Sequence, residues 1–444
     1  SAPAKAQQQS DSSVTPDRAP KPLAPLIDTT SPAIISGQNR AVSEPYDPAR
    51  KIADFALFLP RKTVEALFIT TSMAAGLVEN EQIVPKLKET FFAQDGQIGV
   101  IPTAFLETGF NPNIGARLIA SADNMSTSLR AGYGGPDKNL VESRLRFSFF
   151  SPIPAVLSFE GLHDRQTGIG WSGLGPVPES DPRNHYNPTT ELRSGVYRQV
   201  RHRLIVSFGF RPAGDTEILL SGSYARRKVD DAPDSGDGAL SRVFEPETIP
   251  GASQVSRKTY VESAIRVDTR ESRGRPVKGT LVEAYAGIGR GVLETDPHYV
   301  QTGARGALYI PVYRRSNILS PRLAIDTISA VGSTPLAFND YLYPADSRGL
   351  DGRRDNISAV ASLDYRWTLM KFVAARLFTD VSTVAPSFDA FRFDALHYAW
   401  GFGFDLHSAT TELGRIALAF GPDGYRFAFT IGVAPSGFGD RQHR

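Results

Sequence analysis

The feature that most constrains this chain is a two-residue period in hydrophobicity that runs from about Gln97 almost to the C-terminus. At 400–407, Trp, Phe, Phe and Leu alternate with Gly, Gly, Asp and His, and similar alternation occurs at 358–367, 415–420 and 425–432. Successive side chains of a strand point to opposite faces of a sheet, so each segment predicts a strand with one apolar face. The chain is therefore predicted to be all-β from residue 97 onward.

The composition of the polar faces bears on the kind of β-protein. They are rich in Arg, Glu and Gly, as in Glu142, Arg144 and Arg146 of one strand and Glu283 and Gly287 of another. A water-filled lumen tolerates such residues, and so does the outer face of a large soluble β-sandwich. The polar faces alone therefore leave both architectures open.

The lengths of the connections favour a membrane barrel over the sandwich. Predicted short and long connections alternate along the chain, as expected when turns lie at one end of a barrel and loops at the other. The short ones include 151–154, 212–215 and 412–414, and the long ones include 164–190, 230–257 and 334–356. With the even strand number of bacterial barrels, this predicts an antiparallel transmembrane β-barrel of about sixteen strands.

The first 95 residues have a different character from the barrel. Residues 1–45 are rich in Ser, Ala, Pro and Gln and are predicted to form a disordered periplasmic tail. Apolar residues recur at helical spacing in 46–95, which predicts a short helical periplasmic segment. The barrel is predicted to occupy 96–444.

Composition excludes several classes of site. The chain has no cysteine, which removes disulfides and thiolate metal sites, and its net charge of +2 gives no nucleic-acid footprint. The most apolar helical segment, 52–77, contains Pro60, Arg61, Lys62 and Glu65, so it is not predicted to span a membrane.

The sequence gives no catalytic constellation. The seven histidines form no pair at metal-ligand spacing, and no Gly-x-Ser-x-Gly motif is present. The glycine-rich run 287–291 lies within a predicted strand and opens no helix, so a nucleotide loop is rejected. Asp230, Asp231, Asp234 and Asp237 could bind a cation, but a solvated loop is the simpler interpretation because calcium loops have more regular spacing. No enzyme activity, metal or cofactor is predicted.

Several short motifs follow one another in the C-terminal half. They are Asp268-Thr269-Arg270 with Arg275-Pro276-Val277-Lys278-Gly279-Thr280, Ser347-Arg348-Gly349-Leu350, Asp364-Tyr365-Arg366-Trp367, and Phe378-Thr379-Asp380-Val381. In order and spacing they resemble the motifs of the outer-membrane assembly and translocation superfamily that contains BamA, TamA and the two-partner secretion transporters. The resemblance covers about residues 265–432, and it departs at Leu350 and Ser382, where the family has an aromatic residue and a glycine.

The resemblance implies a role for the loop that carries Arg348 and Gly349. It implies that this loop folds back into the lumen and that Arg348 meets Asp380, and also Asp364, on the barrel wall. Both acids fall on polar faces by the two-residue period, and an Arg–carboxylate pair in a confined lumen is charge-assisted. The alternative is a solvated loop arginine.

The earlier motif is expected to serve as a tight periplasmic turn. It comprises Asp268, Arg270, Pro276 and Gly279, and its Pro and Gly are typical turn residues. Residues 1–94 do not fit the periplasmic POTRA domains of the family, since an independent domain needs a larger core. The resemblance therefore implies a member that lacks POTRA domains.

The resemblance also implies a function. We expect an integral protein of the bacterial outer membrane, with a periplasmic N-terminus, that takes part in insertion or transport of proteins or lipids or anchors an envelope complex. Relatives act through a weak seam between the first and last strands, and Gly432, Pro435 and Gly437 predict a frayed last strand here. The expected partners are outer-membrane lipid, lipopolysaccharide and other envelope proteins, the last through residues 1–45. The alternative is a passive diffusion channel or a structural scaffold.

Overall fold

The computed structural model describes most of the chain after residue 96. The described residues are 92–93, 97–107, 113–150, 152–233, 235–252, 254–293, 296–313, 315–349, 351–370, 372–408 and 412–431. The predicted tail lies outside them, as does the predicted helical segment except for Phe92 and Ala93, which form a short strand. The predicted frayed end after residue 431 and the departure at Leu350 also lie outside them. Within the described residues, no helix has the length and apolar character needed to cross a membrane.

The described residues contain seventeen strands. They are β1 (Phe92–Ala93), β2 (Ile98–Glu107), β3 (Asn113–Ala122), β4 (Met125–Tyr133), β5 (Asn139–Phe149), β6 (Ala155–Trp171), β7 (Gly195–Ala213), β8 (Thr216–Asp231), β9 (Val255–Asp268), β10 (Gly279–Gly291), β11 (His298–Pro311), β12 (Asn317–Val331), β13 (Ile357–Met370), β14 (Val373–Ala385), β15 (His397–His407), β16 (Glu412–Gly421) and β17 (Gly424–Ile431).

Strands β2 to β17 close into one antiparallel barrel. Each pairs with its neighbours in sequence, and β17 pairs with β2 to complete the ring. The short strand β1 adds to the edge of β2. The predicted class, an all-β barrel of sixteen strands, is confirmed, and the soluble sandwich is wrong because the sheet closes on itself.

The two faces of the barrel wall differ as the two-residue period predicts. In β15, Gly401, Gly403 and Asp405 are buried on the inner face, whereas Tyr398 and Trp400 are exposed on the outer face. Large exposed apolar side chains cover the outer faces of other strands, among them Leu129, Leu204, Val261, Ile265, Ile288, Leu323, Leu363, Ile416 and Phe427. The buried charges lie inside and the apolar residues outside, which is the reverse of a soluble protein.

The connections segregate to two ends of the barrel. The three longest, 172–194, 232–254 and 332–356, lie at one end, here called the long-loop end. The opposite, short-turn end holds two-residue connections such as 123–124 and 214–215. The predicted alternation of short and long connections therefore holds.

Several predicted boundaries are wrong. Strand β6 continues to Trp171 and β7 begins at Gly195, so the predicted loop 164–190 is shifted toward the C-terminus. Asp164 suggested a loop, but it is buried in the lumen, where its Oδ1 accepts a hydrogen bond from Arg201 Nε at 2.9 Å. The predicted loop 230–257 is shorter, at 232–254, and the residues of the predicted turn 412–414 belong instead to β16.

Loops at the long-loop end share a hydrophobic core. Trp171 and Tyr197 each contact Phe338 edge to face, with ring centroids 5.1 Å apart. Phe244 and Leu240 pack in the same cluster, with Leu240 opening a single helical turn, α1 (Leu240–Val243). These loops form a packed cap because each long connection buries an apolar side chain in the cluster, namely Leu174, Phe244 and Phe338.

Candidate functional site

The connection 332–356, called the returning loop below, lies against the inner wall at Arg348. The backbone N–H and the Nε of Arg348 both donate to Asp380 Oδ2, at 2.8 and 2.9 Å. Its terminal nitrogens contact Asp380 and Asp364. The side chains of these acids are 0% and 3% exposed, so the network is buried. The structure thus brings together the three charged residues of the predicted loop-to-wall motif.

Small residues create the space for this contact. The guanidinium carbon of Arg348 lies 3.8 Å from the ring centroid of Phe378, a cation–π arrangement. A Cβ on Gly401 would lie 2.5 Å from Cζ of Phe378, and a Cβ on Gly349 would lie 2.6 Å from Cβ of Ala399. Gly349 therefore permits the close approach of the loop to the wall, as expected from the sequence.

The two acids differ in their other partners. Asp364 also pairs with Arg322 at 3.0 Å and with Arg376 at 3.3 Å. Within the described residues, Asp380 forms ion pairs with Arg348 alone. Loss of Arg348 would therefore leave Asp380 without a cation, whereas Asp364 would keep two.

A second contact of the returning loop lies on a different part of the wall. Asp340 Oδ1 accepts a hydrogen bond from Arg227 of β8 at 3.0 Å, and its other oxygen contacts Lys258 of β9. Arg227 also donates to the backbone oxygen of Asn339 at 3.2 Å. Two contacts of opposite polarity thus hold the loop. Its Asp340 meets basic residues of β8 and β9, and its Arg348 meets acidic residues of β13 and β14. Sequence reasoning missed Asp340; the signal that could have revealed it is the two cations at inward positions of neighbouring strands.

The cap contains a further ion pair that ties two loops together. Arg183 donates to both oxygens of Asp355, at 3.0 and 2.8 Å, and also to Asp181. Hydrogen bonds to the two carboxylates raise the pKa of Arg183 above its ordinary range. Burial opposes ionisation of Asp181, but Arg183 outweighs it and lowers the pKa of Asp181. Burial raises the pKa of the neighbouring Tyr186 to about 12.

The motif expected to form a tight turn is a ten-residue connection between β9 and β10, here called the strap (269–278). At its base, Arg270 donates to both oxygens of Asp268, at 2.8 and 3.0 Å. Gly279 has φ +117°, and a Cβ there would meet the backbone oxygen of Thr269 at 2.5 Å, so this position requires glycine. Pro276 lies near the tip, where its backbone oxygen contacts Arg366 of β13. The motif residues hold the base and the tip of a long turn rather than a tight one.

The seam between the last and first strands has few pairs among the described residues. There, β17 and β2 share four residue pairs, from Ala428 with Glu107 to Ile431 with Ala104. By comparison, β16 and β17 share eight pairs and β6 and β7 share fifteen. The seam is the shortest strand pairing of the described ring.

The residues considered for catalysis or cation binding have structural partners. Asp231 accepts a hydrogen bond from the backbone of Ser241 at 3.0 Å, and Asp230 pairs with Lys228 at 3.0 Å. His163 contacts His202 through their Nδ1 atoms at 3.2 Å. Asp234 and the side chain of Asp237 lie outside the described residues.

In the described part of the chain, one cluster consists of residue types that can bind a metal ion. Asp351, His397 and Asp423 place one ligand atom each within 4.8 Å of the others. Asp351 is already held by Arg353, whose Nε and terminal nitrogen donate to it at 2.9 and 2.8 Å. Burial raises the pKa of Asp423. The guanidinium provides the positive charge that a metal would otherwise supply.

Comparison with known proteins gives matches in fold alone. No protein family and no curated protein matches the sequence. The fold is similar to BamA from Haemophilus ducreyi lacking POTRA domains 1–3, with a TM-score of 0.54, 11% identity, and coverage of 76% of this chain and 70% of that one. CdiB from Acinetobacter baumannii has a TM-score of 0.44, 10% identity, and coverage of 75% and 59%. The BamA likeness confirms, at the level of the fold, the resemblance that the motifs predicted.

Proposed function

We propose that this protein is an integral outer-membrane barrel that inserts or passes polypeptides or lipids by opening its seam between β2 and β17. The observation that supports the proposal most directly is the seam, which has four residue pairs among the described residues, against eight in the neighbouring β16–β17 hairpin. A strand pair with fewer hydrogen bonds separates at lower cost. The similarity of the barrel to BamA agrees with this function.

The outer face supports a membrane location. The apolar side chains of Leu204, Val261 and Ile288 are 64%, 65% and 64% exposed, and they lie on a sheet that closes into a ring within the described residues. Closed barrels and helices are the structures that satisfy every backbone group in hydrocarbon. Bacterial barrels have short periplasmic turns and long outer loops, so the short-turn end, where β2 begins and β17 ends, is assigned to the periplasm.

This location suggests the partners. Membrane lipid and lipopolysaccharide would cover the outer face, and the N-terminal residues 1–45 would reach other envelope proteins in the periplasm. The wider role is insertion or transport of a client, or anchoring of a complex that performs it.

A passive diffusion channel agrees less well with the lumen. The packed cap lies at one end, and the returning loop crosses the interior between Asp340 on β8 and β9 and Arg348 on β13 and β14. An open pore of this strand number would carry a steady ionic current in a planar bilayer, whereas a blocked barrel gives low, flickering conductance.

A disulfide across the seam tests the proposal. Ala104 and Ile431 are register partners, and the chain has no other cysteine, so Ala104→Cys with Ile431→Cys forms one defined bond. We expect oxidation to abolish, and reduction to restore, insertion of a urea-denatured eight-stranded outer-membrane barrel into proteoliposomes that contain this protein.

The matched control places the same bond within the wall. Ala116 and Ala131 are register partners in β3 and β4, so a disulfide there leaves the seam free to open. Full activity of the oxidised seam variant, or equal loss in the control, would contradict seam opening.

A further inference from the structure

The strap extends from β9 and β10 to strands well separated from its base. The backbone N–H of Glu412, the first residue of β16, donates to the backbone oxygen of Gly274 at 3.4 Å. Arg275 donates to Thr368 Oγ1 of β13 at 2.8 Å, and Arg366 of β13 contacts the backbone oxygen of Pro276. β16 lies six strands from β10 around a ring of sixteen. A turn that joins such distant strands must run across the short-turn mouth of the barrel.

The base of the strap is firmly held. The backbone of Glu271 donates to Lys278 at 3.2 Å and that of Thr269 to Thr280 at 2.9 Å, so the strap leaves the wall as a two-stranded ribbon. Arg273 adds ion pairs to Asp268, at 3.1 Å, and to Glu217. Glu217 is 0% exposed, which places these contacts among the buried charges of the wall.

The tip is held differently from the base. Its three contacts with β13 and β16 are hydrogen bonds to a hydroxyl group or to backbone atoms. In the described part of the chain, no carboxylate lies within ion-pair distance of Arg275, and burial lowers the pKa of Arg275. Two of these bonds have a guanidinium donor, but none has a carboxylate acceptor, so the tip lacks the paired opposite charges that hold the base and separates from the wall more readily than the base does.

We propose that the strap is a gate for the short-turn mouth: it pivots on its ion-paired base and releases its hydrogen-bonded tip from β13 and β16 to admit molecules into the lumen. The contacts of the returning loop and the contacts of the strap share no residue, so each closure can be perturbed by its own substitutions. The gate does not depend on whether the seam opens.

Access to one lumen cysteine measures the gate. Ser221 faces the lumen on β8, is buried, and lies four residues beyond Glu217, so Ser221→Cys reports entry past the strap. We expect a bulky charged maleimide to label this cysteine at least tenfold faster when Arg275→Ala removes the side-chain contact of the tip. Glu179→Cys, exposed in the cap, is the control and should react at the same rate with or without Arg275→Ala.

A tether provides the opposite perturbation, and its oxidised and reduced states are compared in one and the same variant. Gly274→Cys with Glu412→Cys places a disulfide at the backbone contact between tip and wall. In the Ser221→Cys background, oxidation should slow labelling at position 221, read separately from positions 274 and 412 by peptide mass spectrometry, at least tenfold relative to the reduced state of the same protein. Equal rates in the oxidised and reduced states would overturn the gate, as would an Arg275→Ala variant that labels no faster than its parent.

Discussion

Removing the guanidinium of Arg348 is the sharpest test of the returning loop. In Arg348→Gln, Asp364 keeps Arg322 and Arg376, but Asp380 loses its ion-pair partner while its side chain stays 0% exposed. Removing one partner of a buried ion pair costs about 3–5 kcal/mol. The backbone N–H at position 348 still donates to Asp380, so we expect a value near the lower limit, about 3 kcal/mol.

This free energy sets the size of the effect on the loop. At about 1.4 kcal/mol for each tenfold change, 3 kcal/mol raises the undocked population of the loop roughly 100-fold. Hydrogen exchange of the amides at 341–349 measures that population, and we expect their protection to fall by this factor. Bilayer conductance should rise in parallel if the loop blocks the lumen.

A second substitution separates the ion pair from general damage. Asp380→Asn in the Arg348→Gln background removes the uncompensated charge, so the double variant should regain much of the lost protection. Arg392 forms a similar paired contact with Asp394 on the surface of the connection 386–396, and Arg392→Gln should leave exchange at 341–349 unchanged. The reasoning fails if Arg348→Gln keeps the protection of the parent, or if the double variant is no better than the single one.

Two further predictions concern the cap. Trp171→Ala removes a side chain that is 2% exposed and should destabilise the cap by about 3–5 kcal/mol, seen as faster proteolysis of the long loops. Trp171→Phe should cost much less because it keeps an aromatic ring, and within the described residues the indole N–H donates no hydrogen bond that would be lost. Because the pKa of Asp181 is lowered in the folded protein, its contribution to stability is complete above its ordinary pKa near 4 and is lost as pH falls through the lowered value. The melting temperature should therefore fall between pH 7 and pH 3, and it should fall less in Asp181→Asn than in the unmodified protein.

The architecture of the wall could be predicted from the sequence because it depends on local alternation. The period assigned Asp364 and Asp380 to inward positions, where both are buried. Predicted strand boundaries were wrong where charged residues face the lumen, because there a charged side chain can belong to a strand and need not mark a loop. Asp164 suggested the start of a loop, but inside a barrel a carboxylate opposite Arg201 is an ordinary strand residue.

The contacts across the lumen could not be obtained in the same way. Asp340 is one acid in a polar loop, and its partners Arg227 and Lys258 lie 113 and 82 residues away in sequence. Their meeting depends on the curvature of the whole ring, which alternation does not encode. The reach of the strap from β9 to β16 depends on the same curvature, so the motif at Asp268–Gly279 suggested a turn but not its destination.

The chemistry of the lumen contacts suggests why the loop and the strap differ. A buried ion pair contributes less to stability than its Coulomb attraction implies, because both charges lose hydration, but it penalises any arrangement that leaves one charge alone. The returning loop places Asp340 against the basic residues of β8 and β9 and Arg348 against the acidic residues of β13 and β14. A loop docked in a reversed or shifted position would therefore leave both sets of charges unpaired at once. Such contacts specify one docked state and resist partial release.

The tip of the strap lacks such ion pairs in the described residues and so bears no comparable penalty when it leaves the wall. If both elements move, the strap should therefore respond first, and exchange at 272–277 should exceed exchange at 341–349 in the unmodified protein.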